Sequence, residues 1–421
     1  MSAPERLQGS SIRCLDLETG ELVFTVPYTG GGTQQLLLVD STLFVAGDFT
    51  SIAGNDRAGL AAIDAQTGAL RDWSVPVAGT VHALAHAGTT MYFGGYFSSA
   101  GGAPRSHLAA ADIRTGALTP FHPMLDGTVL ALVADGTSVF AGGNFRTASG
   151  TARAGLAAWR HDGTLRTDWI PNPSVPAFTW GPEVWSLALA GDTLFLGGRF
   201  TSVGGLERTN LAAVSRTSGT TLGWTCHASQ MVLALGTDGS RLFALSGPGG
   251  SFGGAVRHGL AAVDVRTNRI LDWAPRIEPD LGPDPTVWEI LPVDDRVLVT
   301  GRFGWANGEW RLGFAAFDVR TGALRPERCD IDGYSRAADV LLARDSTLYI
   351  GGYFDRLAGV ARTGLGALDS RTLAVKPWAP RPAASSGPFS LPAGTHAFVI
   401  RDSTMFVHGA FDSIVVSLDA R

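Results

Sequence analysis

Cysteine is nearly absent from this chain. Its three copies, Cys14, Cys226 and Cys329, stand far apart without any C-x-x-C spacing, so neither a disulfide framework nor a zinc site is indicated. Lysine is scarcer still, with Lys376 the single copy among 33 basic residues. Charged side chains are only 17% of the 421 residues, and the balance of 33 basic against 38 acidic leaves a formal charge of −5. That lacks the clustered cations a nucleic-acid surface needs to release counterions from phosphates. No run approaches about 18 consecutive apolar residues, the length of a membrane-spanning helix. The first residues, Met-Ser-Ala-Pro-Glu-Arg, also lack the charged and apolar regions of a secretion signal. Two expectations for location follow: extracellular or cell envelope if a signal has been trimmed, cytoplasmic if Met1 is the native start.

What the chain does have is glycine, 54 residues scattered without a G-X-Y period, and 45% apolar residues, enough to bury a large core. The glycines belong to a repeat. A tetrad close to Gly-Gly-x-Phe ends at Phe49, Phe97, Phe145, Phe200, Phe252, Phe303, Phe354 and Phe411, with spacings of 48, 48, 55, 52, 51, 51 and 57. Repeats near this length are units that cannot bury their apolar face alone and therefore stack into an array. Each unit holds four short apolar runs, a to d, separated by Gly, Asp, Asn or Ser turns, which reads as a four-stranded antiparallel meander. No sustained helical period is present.

Residues 11–24 match the c and d half of a unit, while the stretch from about His396 to Phe411 supplies an a and b half. Joining them would close a ring and hide its sheet edges. The expected fold is therefore all-β: residues 1–10 form a tail and residues 11–421 a single β-propeller of eight four-stranded blades, or seven if one copy is degenerate. The run Thr80-Val-His-Ala-Leu-Ala, then Met91-Tyr-Phe-Gly-Gly-Tyr-Phe-Ser-Ser-Ala-Gly-Gly, Arg105 and Leu108-Ala-Ala-Ala-Asp resembles the bacterial delta-60 type of β-propeller repeat. The resemblance covers essentially the whole chain and implies the propeller architecture. It also implies an extracellular or envelope module, and it is silent on activity. The sialidase Asp-box pattern is absent.

Comparing the copies with one another separates framework from function. Arg57, Arg105, Arg153, Arg208, Arg257, Arg311 and Arg362 occupy one loop position in seven units, which points to a guanidinium tying blades together through carbonyls or carboxylates. The aromatics Phe24, Trp73, Phe121, Trp169, Trp224, Trp273 and Trp378 recur in run d as core. Thr-Gly pairs such as Thr67-Gly68 are turns.

The longer insertions, 171–183, 276–286 and 379–395, all fall in d-to-a connections, which share one end of the molecule with the b-to-c loops. Clustering on one face marks a binding side. Two positions at that end differ from unit to unit. The second residue of run a reads Gln34, His82, Leu130, Trp185, Leu233, Trp288, Asp339 and His396, and the residue before the tetrad Phe reads Asp48, Tyr96, Asn144, Arg199, Ser251, Arg302, Tyr353 and Ala410. Together they outline a channel mouth with stacking faces from Trp185 and Trp288 and forks for an anion from Arg199 and Arg302. Glu289, where most units have Ala, reads as the partner of a neighbouring Arg or as an active carboxylate. With Asp339 it would make an acid–base pair. His82 or His396 beside Tyr96 or Tyr353 would suit proton abstraction next to a carboxylate held by an Arg. His86, His122, His161 and His258 share no spacing, so no metal site is proposed, and no cofactor.

Three readings compete. A binding module would take a small anionic, aromatic or carbohydrate-like ligand, a glycan or a partner protein at the mouth, acting as a monomer. An enzyme, a lyase or hydrolase, would use the same cluster with catalytic residues not assignable from the sequence. A purely structural protein would carry equivalent residues at all mouth positions, and the two varying rings differ from that.

Overall fold

The structure is a computed structural model describing residues 10–176, 181–223, 226–247, 249–257, 259–267, 269–280, 286–333, 337–380, 382–383, 394–410 and 413–414. Among these residues the regular elements are all strands, and no helix is long and apolar enough to cross a membrane.

In the first unit, strand a (Thr33–Val39), strand b (Thr42–Gly47) and strand c (Leu60–Asp64) hydrogen-bond in that order. Strands a begin the later units at Val77–Ala87, Val129–Ala134, Glu183–Ala190, Val232–Thr237, Thr286–Val293, Ala337–Arg344 and Gly394–Arg401. Strand b is buried on both faces, which is why it reads as a continuous run such as Leu43-Phe-Val-Ala rather than an alternation. The apolar side chains between neighbouring sheets form the cores, for example Phe44, Trp73, Phe93 and Phe97.

Strand d departs from expectation. It is long at Leu22–Thr29 and Leu70–Ser74, but elsewhere it shrinks to Arg269–Ile270 or to single bridges such as Ala111 with Leu118 and Phe317 with Leu324. Pro120, Pro326 and Pro377 follow these bridges closely in sequence, and a residue without an N–H cannot extend the ladder. The b-to-c loops carry a feature not foreseen: among the described residues seven of them fold into a two-residue ribbon, as in Ser51–Ile52 with Asn55–Asp56, and the chain arriving from the preceding strand d pairs with it.

The a strands contact one another in chain order, and Gly394–Arg401 returns to contact Thr33–Val39. The sheets stay separate, so side-chain packing closes the ring rather than one continuous hydrogen-bonded sheet. In the closing sheet, Thr404–Ala410 pairs with the N-terminal strand Ser11–Asp16, from Ser11 opposite Gly409 to Asp16 opposite Thr404. A radial stack of such antiparallel sheets is a β-propeller.

One contact recurs between sheets. The strand-d indoles of Trp73, Trp169, Trp273 and Trp378 each donate Nε1–H to the carbonyl ending strand c of the next sheet, at Asp112, Ser215, Asp318 and Asp16, over 2.8, 3.0, 2.9 and 3.1 Å. The Thr-Gly turns and the Ser218-Gly219 turn leave room for these rings. Gly219 has φ +73, and a Cβ there would stand 2.9 Å from Cδ1 of Trp169. Most of these turns are braced by an Asp ahead of them, as where Asp318 Oδ1 accepts from the N–H and hydroxyl of Thr321, and Ser215 Oγ takes that place ahead of Gly219. The loop arginines act within their own sheet, not between sheets as the sequence suggested. Arg208, Arg311 and Arg362 donate to the carbonyls of Leu222, Arg325 and Lys376 in the following d run.

The bond from Trp378 to Asp16 seals the ring across the chain ends. Trp378→Phe keeps a ring and removes only this hydrogen bond, since the Asp16 carbonyl still accepts from the Gly20 N–H, and should cost about 0.5–1.5 kcal/mol in urea unfolding; Trp378→Ala should cost about 3–5 kcal/mol. An unchanged midpoint for both variants would mean that closure does not depend on this contact.

Candidate functional site

Every strand a carries a β-bulge at the same place. In the second unit Val81 lies opposite Gly95 and Ala83 opposite Gly94, leaving His82 without a cross-strand partner. The same skip omits Gln34, Leu130, Trp185, Leu233, Trp288, Asp339 and His396 in the other units. These are the residues of the varying ring. A bulge leaves its extra residue outside the ladder and re-aims its side chain, which frees its identity from pairing constraints.

The second tetrad glycine makes the bulge feasible. A Cβ on Gly95 or Gly198 would overlap the carbonyl oxygen of Thr80 or Glu183, because the bulged strand presses its backbone onto that Cα.

Half of the ring converges. Gln34, His82, Leu130 and Trp185 line one open depression of about 530 Å³, together with Asn144 from the second varying position and Glu183. Burial holds the His82 imidazole below its ordinary value, against the opposing charge of Asp48, so His82 is neutral near pH 7. Asn144 uses Oδ1 to accept from the Thr128 N–H.

Glu183 was not singled out by the sequence comparison. It sits directly opposite Arg199 across the ladder, accepting from Arg199 Nη2 at 2.9 Å and from Trp185 Nε1 at 2.9 Å. Arg199 is therefore neutralised and does not offer a free fork for an anion. The signal was available one residue before the bulge neighbour, where other units have Gly32, Thr80, Thr128 and Thr286.

The sixth unit repeats this hairpin with one charge changed. Trp288 occupies the bulge and is 38% exposed, and Arg302 faces Thr286 instead of an acid. Among the described residues exposed Arg302 has no hydrogen-bond or ion-pair partner. The mouth thus holds a compensated Trp–Arg–Glu cluster in one unit and, among the described residues, a Trp–Arg pair without an acid in another.

Other expected pairings are rearranged. Glu289 has no Arg partner among the described residues. Its carboxylate accepts from the Leu341 N–H of the next sheet, and burial pushes its carboxyl up to about 7. That mirrors Gln35 Oε1 accepting from Leu84 N–H at 2.7 Å and Ser186 Oγ from Leu235 N–H at 3.1 Å, so Glu289 does a bridging job that other units give to neutral groups. The charge of Asp339 bears on Tyr353, whose phenol is raised by burial and then by that carboxylate; burial, not Asp339, accounts for the shift of Glu289. Tyr96 is 64% exposed and rests against His107, at 5.6 Å between ring centroids, rather than against His82. The side chain of His396 lies outside the described residues. His161 accepts from or donates to Tyr92 Oη at 2.8 Å and contacts the Asp135 carbonyl, a structural role. Among the described residues no three His, Cys, Asp or Glu side chains group as metal ligands.

A family model described as outer membrane protein assembly factor BamB matches residues 8–325. No curated protein matches the chain. Among solved structures, the computationally designed Ika8 protein is similar at 16% identity over 95% of this chain and 97% of its own, with a TM-score of 0.56, a likeness of fold alone. The WD40 beta propeller domain of Doa1 aligns at 10% identity over 80% of this chain and 93% of its own, with a TM-score of 0.40. The beta-propeller domain of Cps50 (Swd1) from Myceliophteria_thermophila does so at 10% identity over 78% and 96%, with a TM-score of 0.44.

Because burial raises the Glu289 carboxyl from its ordinary 4.5 to about 7, the folded state favours the proton. Its contribution to stability is complete below pH 4.5 and is lost as pH rises through 7, on the order of 3 kcal/mol in all. Glu289→Gln should match wild type at pH 4.5 and melt higher at pH 8. Parallel melting curves across that range would count against the burial.

Proposed function

We propose, on the premise that this chain belongs to the family described as outer membrane protein assembly factor BamB, that it is a non-catalytic β-propeller binding module for a partner polypeptide. The mouth outlined by the bulge residues would receive an extended segment carrying a carboxylate. The observation that carries this reading is the contrast between the two tryptophan hairpins. Arg199 is held by Glu183, whereas Arg302, beside exposed Trp288, faces Thr286 and is left to pair with an incoming anion. On the other side of the mouth, neutral His82, Gln34 and the Asn144 amide suit main-chain donors and acceptors, and Leu130 and Trp185 supply apolar contact. An assembly factor for outer membrane proteins acts through contact with polypeptide, in keeping with a peptide ligand. A count of eight blades, kinship with the delta-60 repeats and a place at the cell envelope belong to the same proposal.

The observation favouring an enzyme is Glu289, a carboxyl raised to about 7 near the mouth. Its burial accounts for the rise, and its amide bridge to the next sheet, shared in kind with Gln35 and Ser186, gives the acid a packing role without chemistry.

The test is fluorescence anisotropy with labelled acidic peptides and their amidated, Asn/Gln-substituted counterparts. Acidic peptides should bind, and Arg302→Ala should weaken them at least tenfold, about 1.4 kcal/mol, while the neutral counterparts lose no more in the variant than in wild type. Equal binding of both peptide sets, or no effect of Arg302→Ala, would remove the basis for this reading.

A further inference from the structure

The sixth unit differs from the others at a second place, on the ribbon of its b-to-c loop. Trp305–Ala306 pairs with Glu309–Trp310 across a two-residue turn, Asn307-Gly308, whose φ values of 48 and 81 are those of a tight primed hairpin. Asn307 pins the ribbon in place: Oδ1 accepts from the Arg276 N–H at 2.7 Å, and Nδ2 donates to the Gly322 carbonyl at 3.0 Å. The incoming connection adds a third strand, placing Ile277 opposite Ala306 and Glu278 opposite Trp305. Side-chain alternation then splits the ribbon. Ala306 and Ile277 are buried beneath it, and the row Glu278, Trp305, Trp310 lies on the outer face.

Trp305 and Trp310 are 40% and 38% exposed and meet edge to face, with ring centroids 5.2 Å apart at 86°. The place of Trp305 is taken by Ser51, Ser99, Thr147, Ser202, Ser251 and Arg356 in other units, and that of Trp310 by Asp56, Pro104, Ala152, Glu207, Val256 and Ala361; Ser251 thus lies on a ribbon and not at the mouth position the sequence assigned it. The ribbon therefore forms without either indole. Two large apolar rings kept in water at one unit serve something other than folding.

Charge decides what that is. Glu278 is ion-paired with Arg276 at 2.8 Å, and Glu309 with Arg311 at 3.0 Å, so the carboxylates beside the rings are compensated. Among the described residues an ammonium ligand would meet no uncompensated acid there, and a phosphate no uncompensated base. Charge-compensated ion pairs bordering a flat aromatic face suit a neutral ligand with one apolar face and a rim of hydroxyls. We infer that the outer face of this ribbon is a binding site for a neutral pyranose chain: one sugar stacks its C–H face on an indole, its hydroxyls donate to the Glu278 carboxylate, and Arg276 donates to a ring or hydroxyl oxygen. Neighbouring strands lie about 4.8 Å apart, which puts the carboxylate at the edge of a stacked sugar. The site is separate from the mouth and does not depend on the peptide reading.

The test is calorimetric titration of the full chain with cellohexaose, maltohexaose, laminarihexaose and mannohexaose, repeated on Trp310→Ala and on Trp305→Ser, which installs the residue several other units use. At least one oligosaccharide should bind wild type and bind both variants at least tenfold more weakly, with melting temperatures unchanged. Arg302→Ala should bind the same sugar as wild type does, which separates this site from the mouth. The inference is overturned if none of the four binds wild type, or if binding survives in both variants. Sedimentation showing a wild-type dimer that both variants abolish would also overturn it, by assigning the indoles to a second copy of the chain.

Discussion

The close approach of strand a to the second tetrad glycine is the constraint on which the mouth depends. A bulge in strand a drives a carbonyl onto the facing Cα, and only a residue without Cβ accepts that contact at positions such as Gly47, Gly95, Gly143, Gly198 and Gly301. Because the glycine carries the steric demand, the bulged residue carries none. The units with that glycine can therefore hold Gln34, His82, Leu130, Trp185, Trp288 or Asp339 at one backbone geometry, while the fifth unit bulges at Leu233 with Ser246 in the glycine's place. The most uniform feature of the sequence is thus what permits its most variable one.

Side-by-side copies of a unit also act as internal controls for chemistry. Glu183 and Thr286 occupy one place in two hairpins that otherwise share a tryptophan and an arginine, and that single exchange decides whether the guanidinium is satisfied inside the protein or presented to solvent. Glu289 teaches the reverse. An acid among alanines looks chemical until Gln35 and Ser186 are seen accepting the same kind of amide hydrogen from the next sheet. A perturbed carboxyl here is the consequence of a packing role filled by an ionisable residue.

The repeat, the all-strand character, the order of strands a, b and c, and the pairing of the two chain ends were legible in the sequence, because each rests on turn chemistry and apolar runs that recur. The ring of bulge residues was legible as variability but not as a bulge, since a register shift leaves no mark beyond the glycine opposite it. Strand d was overestimated at Leu118 and Leu324, where an early proline cuts the ladder to one bridge. The loop ribbons escaped notice because two-residue strands have no period to detect. Glu183 escaped because it ends an insertion and was counted with the loop, and the row of Glu278, Trp305 and Trp310 became visible only when three separated segments were seen as adjacent strands.

The seal between Ser11–Asp16 and Thr404–Ala410 has a consequence in time. During synthesis at about 5–20 residues per second, the first strand would wait roughly 20–80 s for the strand that covers its edge. Through that interval each finished sheet can stack on its predecessor, but the growing stack stays an open arc with an unpaired edge. Such an edge is a template for pairing with other chains. The ring as a whole is therefore a late event of folding, and the vulnerability of a newborn chain is set by how long its N-terminal strand goes without company.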